Sequence, residues 1–250
     1  MSFEAAARPG SIEGIEGEPI SEEGFEEVSR SLEGAAPQEV LEWAVDTYGE
    51  NLTLSVSFGN VEGIVLMDMV SRISDRIRVF TLDTGFLFQQ TGEFREEVMR
   101  RYELPLEVMH PQLSITQQAA RMGERMYNFD PDSCCHMRKV EPMERALKGY
   151  RAWATGLRRE QSPTRAETPV VARDGRFEVA KIAPLARWTA EQVNDYVDEH
   201  DLPSNPLLEK GYRSIGCEPC TRMVGEGEDL RSGRWADSEK TECGLHWVQK

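Results

Sequence analysis

The chain reads as an α/β protein, a parallel twisted sheet with helices on both faces and a mobile C-terminal tail. Three observations predict this. Short β-rich runs alternate with helix-periodic segments. The first two runs end in polar turns at Ser57-Phe58-Gly59-Asn60 and Asp83-Thr84-Gly85, where open parallel sheets bind ligands. After Cys220 the pattern dissolves into Gly225, Glu226, Gly227 and Glu228.

The first helix is expected over Pro37 to Tyr48, where Val40, Leu41, Ala44 and Val45 form an apolar stripe. Leu52 to Ser57 reads as a buried strand, and Ile64, Val65, Leu66, Met69 and Ile73 carry the following helix. A second strand is expected at Ile77 to Thr81, a helix from about Phe88 to Tyr102, and a third strand over Leu106 to Met109. Arg151 to Thr155 makes a fourth strand, ending at Gly156. Trp188 to His200 is an amphipathic helix with Thr189 as N-cap and Glu191 and Gln192 in its first turn. Three regions follow: an acidic flexible arm over 1–36, a nucleotide-binding α/β domain over 37–222, and a C-terminal segment over 223–250.

The 250 residues carry a formal net charge of −15, which argues against nucleic-acid binding, because phosphate needs a basic face. Such acidity also fits a salt-adapted host. No signal peptide is visible and no apolar run is long enough to span a bilayer. Five cysteines, an odd number arranged like ligands, suit a reducing cytoplasm better than a disulfide framework.

Those cysteines fall into Cys134-Cys135, Cys217-Glu218-Pro219-Cys220 and a lone Cys243. Thiolates are soft ligands for zinc or iron–sulfur clusters. Two adjacent sulfurs reach one small ion awkwardly but can each take a separate iron of a [4Fe–4S] cube, so the cluster is favoured over zinc or a redox dithiol. Cys243 is then free to act as a nucleophile, which needs positive surroundings to hold its thiolate. His246 lies three residues on, and Arg231 and Arg234 lie upstream. Arg158, Arg159 and Arg165 form a basic loop after the fourth strand, which in so acidic a chain suggests an anionic small molecule. Lys139 follows the first pair and is placed to donate to the cluster or to a substrate anion, the alternative being a solvated surface charge. The loop at Ser57 lacks the Gly-Lys-Ser/Thr ending of a Walker loop. Alone it could be an ordinary strand-to-helix turn. With the turn at Asp83 it makes a nucleotide pocket the stronger reading.

Together the motifs resemble the assimilatory sulfonucleotide reductases, most closely the iron–sulfur adenylylsulfate (APS) reductases. The matching stretches are Ser57-Phe58-Gly59, Leu82 to Gly85, Cys134 to Lys139, Trp153 to Ser162, Gly211 to Thr221 and Glu242 to His246. The likeness runs from about Leu41 onwards. It implies an adenine nucleotide alpha hydrolase-like, Rossmann-like fold and the reduction of APS to sulfite and AMP. It implies Cys243 as nucleophile, forming an S-sulfocysteine that thioredoxin, or a glutaredoxin-like donor, resolves. A [4Fe–4S] cluster on Cys134, Cys135, Cys217 and Cys220 is implied as cofactor. Lys139, Arg231, Arg234 and His246 are implied around the sulfate and phosphate. Gly156 and Arg165 are implied in the nucleotide pocket, with Ser57, Phe58, Gly59, Glu62, Leu82, Asp83, Thr84 and Gly85. The expected partners are APS and the thiol donor, with possible further copies of the chain, no nucleic acid and no membrane. Two other enzyme readings stand beside it: a PAPS reductase with the same mechanism, and an ATP pyrophosphatase of the tRNA-thiolating kind.

Overall fold

Six strands form one sheet in the order β3-β2-β1-β4-β6-β5. In the computed structural model, residues 21–225, 227–236, 238, 240 and 242–246 are described. The strands are β1 (Leu52–Ser55), β2 (Arg78–Leu82), β3 (Leu106–Met109), β4 (Ala152–Thr155), β5 (Val171–Asp174) and β6 (Val179–Ile182). β1 pairs in parallel with both β2 and β4. β2 is parallel to β3, and β4 to β6. Only β5 runs antiparallel, against β6. This hairpin was not expected from the sequence, because Val171 to Ile182 is split by a charged turn and neither arm is strongly apolar.

The helices are α1 (Glu22–Leu32), α2 (Pro37–Tyr48), α3 (Val61–Ile73), α4 (Gln89–Arg101), α5 (Ile115–Met122), α6 (Met126–Phe129), α7 (Pro131–Cys135), α8 (Glu141–Leu147) and α9 (Ala190–Glu199). α3 buries Ile64, Val65, Leu66, Met67, Met69 and Val70. Its buried Asp68 accepts hydrogen bonds from the hydroxyls of Tyr102 (3.2 Å) and Tyr196 (2.9 Å), which ties α3 to α9 and to the end of α4. Thr189 opens α9 with a reciprocal cap: its hydroxyl accepts from Gln192 N–H while Gln192 accepts from Thr189 N–H.

The expectation of a loose arm over 1–36 is corrected from Ser21 onwards, while residues 1–20 lie outside the described residues. Ser21 caps α1, whose acidic face is solvated while Phe25, Val28 and Leu32 are buried. The helix lies on the edge strand β5, and Glu33 beyond it pairs with Arg159. Acidity disguised a helix with one apolar stripe.

The tail expected to dissolve after Cys220 is docked in its described part. Thr221 and Arg234 form an antiparallel bridge, and Trp235 N–H donates to the Cys220 carbonyl (3.1 Å). Residues 226, 237, 239, 241 and 247–250 of that segment lie outside the described residues. Among the described residues no helix is long and apolar enough to cross a membrane.

β1 is hydrogen-bonded to β2 on one side and β4 on the other, so connections leave it in opposite directions. That is a topological switch point, where the loops beyond the strands splay apart and leave a crevice.

Candidate active site

The loop after β1 opens one wall of that crevice. Phe58 holds a positive φ of 53°, uncommon for a bulky residue. Its side chain is fully buried, and the amide of Asn205 secures its carbonyl (3.0 Å). The kink turns Ser57 and Gly59 towards the cavity. A side chain at Gly59 would meet the Ile215 carbonyl at 2.7 Å, and Ile215 N–H donates to Asn60 Oδ1 (3.2 Å). The loop is thus stitched to the segment leading into Cys217.

The loop after β4 forms the facing wall. Gly156 has no room for a side chain, since a Cβ would lie 2.8 Å from that of Glu62. Glu62 accepts from Arg158 Nε (3.0 Å) and Gln161 Nε2 (2.9 Å), locking the two walls together. The cavity between them holds about 170 Å³.

Of the residues singled out from sequence, Ser57, Gly59, Glu62, Leu82, Thr84 and Gly156 line this cavity. So do Lys139, Arg165, Arg231, Arg234, Cys243 and His246. Phe58, Asp83 and Gly85 do not. Phe58 is core. Asp83 turns outward, accepting from Gly85 N–H and pairing with Arg95. Gly85, at φ 75°, passes close to the Arg138 guanidinium. Arg158 and Arg159 also leave the expected basic cluster: Arg158 binds Glu62 and Glu160, and Arg159 binds Glu33.

The basic groups reach the cavity from four directions. Lys139 lies in a π-helical stretch, His136–Val140, between α7 and α8, closed by Glu141 N–H bonding the His136 carbonyl. Pro142 follows directly and has no N–H to continue an α-helical ladder. Lys139 is half-buried, not a solvated surface charge. Burial favours its neutral form, but the sulfurs of Cys217 and Cys243 outweigh this and raise its pKa. Arg234 lies over the Trp235 ring, 4.4 Å from its centroid, passing where only a glycine at 216 leaves room. Its Nε is buried with no hydrogen-bond partner among the described residues. Burial, with Arg165 nearby, pushes Arg231 down to about 10, so it stays cationic at neutral pH.

His246 is not the charged helper expected. Its ring stacks on Trp153, and burial together with Lys181, Arg165 and Arg231 drives its pKa well below the ordinary value. It is a neutral imidazole, and its buried Nδ1 has no partner among the described residues. Gly244, at φ 78°, turns the chain between it and Cys243, so the two do not share a helix face.

The five thiols divide into two environments. Cys134, Cys135, Cys217 and Cys220 line a second, small cavity with Phe86, Tyr127 and Arg138, and Cys243 is absent from its wall. Burial pushes Cys135 up to about 11 and Cys220 to about 12, and raises Cys134 as well. Cys243 is shifted the other way. Burial opposes its thiolate, but Lys139, the Leu245 N–H and Arg234 prevail and lower its pKa. Among the described residues no three Cys, His, Asp or Glu side chains converge closely enough for a single ion. Arg138, held by Gln118 (2.7 Å) and the Thr84 carbonyl (2.9 Å), keeps beside the four-thiol cavity a buried Nη2 with no hydrogen-bond partner among the described residues. Thr84 Oγ1 stands 3.2 Å from Cys217 Sγ.

Residues missed by sequence reasoning complete the site. Trp153 and Gln161 line the cavity, Trp235 packs with Cys135 and Cys243, and Glu242 bonds Arg165. The signal for Glu242 was its position beside Cys243, but nothing in the spacing showed which cations it would meet.

A crevice at the switch point of a mostly parallel sheet, lined by the thiols of Cys217 and Cys243, three arginines and a lysine, defines an enzyme-like pocket of cationic character. The chain belongs to the phosphoadenosine phosphosulfate reductase domain family, whose model matches residues 51–223. An adenosine 5'-phosphosulfate reductase of Halalkalibacterium halodurans is 47% identical over 88% of this chain and 95% of its own. A phosphoadenosine 5'-phosphosulfate reductase of Gloeobacter violaceus is also 47% identical, over 91% of this chain and 95% of its own. Among solved structures, a phosphoadenylyl-sulfate reductase from Candida auris in a phosphate complex aligns with a TM-score of 0.72 at 32% identity, covering 82% of this chain and 98% of that one. An FMN adenylyltransferase of Candida glabrata, 15% identical at a TM-score of 0.56 over 77% of this chain and 66% of its own, shares the fold alone.

Proposed function

We propose that the protein reduces adenosine 5'-phosphosulfate to sulfite and AMP, taking electrons from thioredoxin or a similar dithiol donor. The observation that carries the reading is the placement of Cys243: it lines the crevice with the nucleotide-facing loops and is absent from the wall of the small cavity where the other four thiols meet, Cys217 bordering both.

The Cys243 thiolate attacks the sulfur of the sulfate group. An S–S bond forms, the bridging S–O bond breaks, and its electron pair leaves with AMP. An anion approaching an anionic group needs positive charge placed in advance. Lys139, Arg231 and Arg234 supply it, and neutral His246 offers a hydrogen bond without adding charge. The product is an S-sulfocysteine at Cys243. A donor thiolate then attacks Cys243 Sγ and expels sulfite, and the second donor thiol resolves the mixed disulfide. Two electrons leave the dithiol, and sulfur drops from the sulfate to the sulfite level.

A [4Fe–4S] cluster on Cys134, Cys135, Cys217 and Cys220 fits the donor set, the shared cavity and the unpartnered Arg138 Nη2. When bound it supplies fixed negative charge and architecture next to Lys139.

The phosphorylated substrate PAPS is a second reading, favoured by the name of the Gloeobacter violaceus relative. Steady-state kinetics on the anaerobically purified enzyme separate the two: kcat/KM higher for APS supports our assignment, and higher for PAPS replaces it. Cys243→Ser should abolish sulfite release while AMP still binds. Retained turnover in that variant refutes the nucleophile assignment.

A further inference from the structure

Glu242 stands one residue before the nucleophile, and its carboxylate is spent on the two arginines that face the crevice. Arg165 Nε and Nη2 donate to its two oxygens at 2.9 Å each, a bidentate fork. Arg231 Nη2 lies 3.3 Å from the same carboxylate, and Thr164 donates at 3.4 Å. All three charged side chains are largely buried, at 10%, 13% and 16% exposure for Arg165, Arg231 and Glu242. Burial opposes the charge on Glu242, yet the two guanidiniums hold its pKa below the usual carboxylate range.

We propose that Glu242 is a positioning residue for the reaction, a latch that docks the Cys243 segment over the crevice by anchoring it on Arg165 and Arg231. The inference deepens the nucleotide-sulfate reading of this cavity. Its logic is geometric. Arg165 sits in a short turn fixed to the body, with Nη1 also donating to Gln161 Oε1 (2.5 Å), so the fork ties Cys243 to the wall that carries Gly156. On its other side the segment is held by the Lys240–Asp132 ion pair, with Asp132 exposed, and by the stacking of His246 on Trp153. Of these ionic holds among the described residues, the one at Glu242 is buried on both sides. The nucleophile is therefore positioned by cations that also face the ligand, and crevice and segment share one set of charges.

The test uses the full chain, purified anaerobically, as wild type, Glu242→Gln and Glu242→Asp. The first readout is the rate of Cys243 alkylation by iodoacetamide without nucleotide, followed on the Cys243 peptide by mass spectrometry. Rates are compared on the high-pH plateau, so that a changed thiolate fraction is not mistaken for exposure. Loss of a buried charge-assisted pair should speed alkylation of E242Q by about tenfold, with E242D between it and wild type. The second readout is AMP affinity by calorimetry, expected to be unchanged or tighter in E242Q. An unchanged plateau rate in E242Q overturns the latch, because the remaining packing then suffices. Weaker AMP binding in E242Q also overturns it, because Glu242 would then serve by ordering the arginines for ligand. Failure of the wild type to bind AMP sinks the nucleotide reading instead, and the alkylation comparison still decides the docking role.

Discussion

His246 stacks on Trp153 with ring centroids 5.9 Å apart and planes within 7° of parallel. One ring comes from the C-terminal segment and the other from the middle of the central strand β4, so the segment carrying Cys243 is seated directly on the sheet.

That seat is sensitive to acid. Burial first, then Lys181, Arg165 and Arg231, depress the docked His246 pKa well below 6.5. An undocked His246 binds a proton more readily, so docking is fully favourable above about 6.5 and weakens as pH falls below it. Hydrogen exchange of the segment, or plateau-corrected alkylation of Cys243, should show the loss on the acid side. The step should vanish in His246→Phe, which keeps the stack and removes the titration.

Lys139 is the strongest influence lowering the Cys243 pKa against burial. In Lys139→Ala the midpoint of Cys243 alkylation should move to higher pH, and sulfite production at neutral pH should fall with it. A midpoint that stays in place would remove Lys139 from thiolate stabilisation and leave Arg234 and the Leu245 N–H as its source.

Gly216 leaves space for the Arg234 guanidinium, which would collide with any Cβ there. Gly216→Ala should displace this cation while the fold holds, because the atoms that must yield are the far end of a flexible side chain. The expected outcome is a fall in kcat/KM of roughly 100-fold, the scale of losing one preorganised charge contact, with Tm shifted by only a few degrees.

α1 should behave as part of the fold. Leu32 is 2% exposed, so Leu32→Ala should cost about 2–5 kcal/mol and lower Tm accordingly. Glu27→Ala on the exposed face of α1 should change stability by less than about 0.5 kcal/mol. Equal, small effects would mean that the helix contributes nothing to the body.

The contrast between Leu32 and Glu27 illustrates what was legible. Where apolar period and flanking turns agree, as at Pro37–Tyr48, Leu106–Met109 and the Thr189 cap, sequence and structure coincide. Net charge overwhelmed a three-residue apolar stripe in α1, and the β5–β6 hairpin was hidden because its burial comes from neighbours rather than from its own pattern. In the site, residue types were readable but partners were not. Arg158, Arg159 and Arg165 are near neighbours in sequence, yet only Arg165 lines the crevice, because Glu62 and Glu33 claim the other two. His246 looked like a cation because spacing carries no information about desolvation. The grouping of Cys134, Cys135, Cys217 and Cys220 around one small cavity was visible from their spacing, because adjacency and Cys-x-x-Cys are local geometry, but that Cys217 also borders the crevice was not.

The central claim is that Cys243 alone among the five thiols accepts the sulfo group. Incubating the anaerobically purified enzyme with ³⁵S-labelled APS and no reductant tests it most directly. We predict one covalent label per chain on the Cys243 peptide, with an equal amount of AMP released and the label discharged as sulfite when a dithiol is added. Label on Cys134, Cys135, Cys217 or Cys220, or sulfite formed with no covalent label at any stage, would contradict the account.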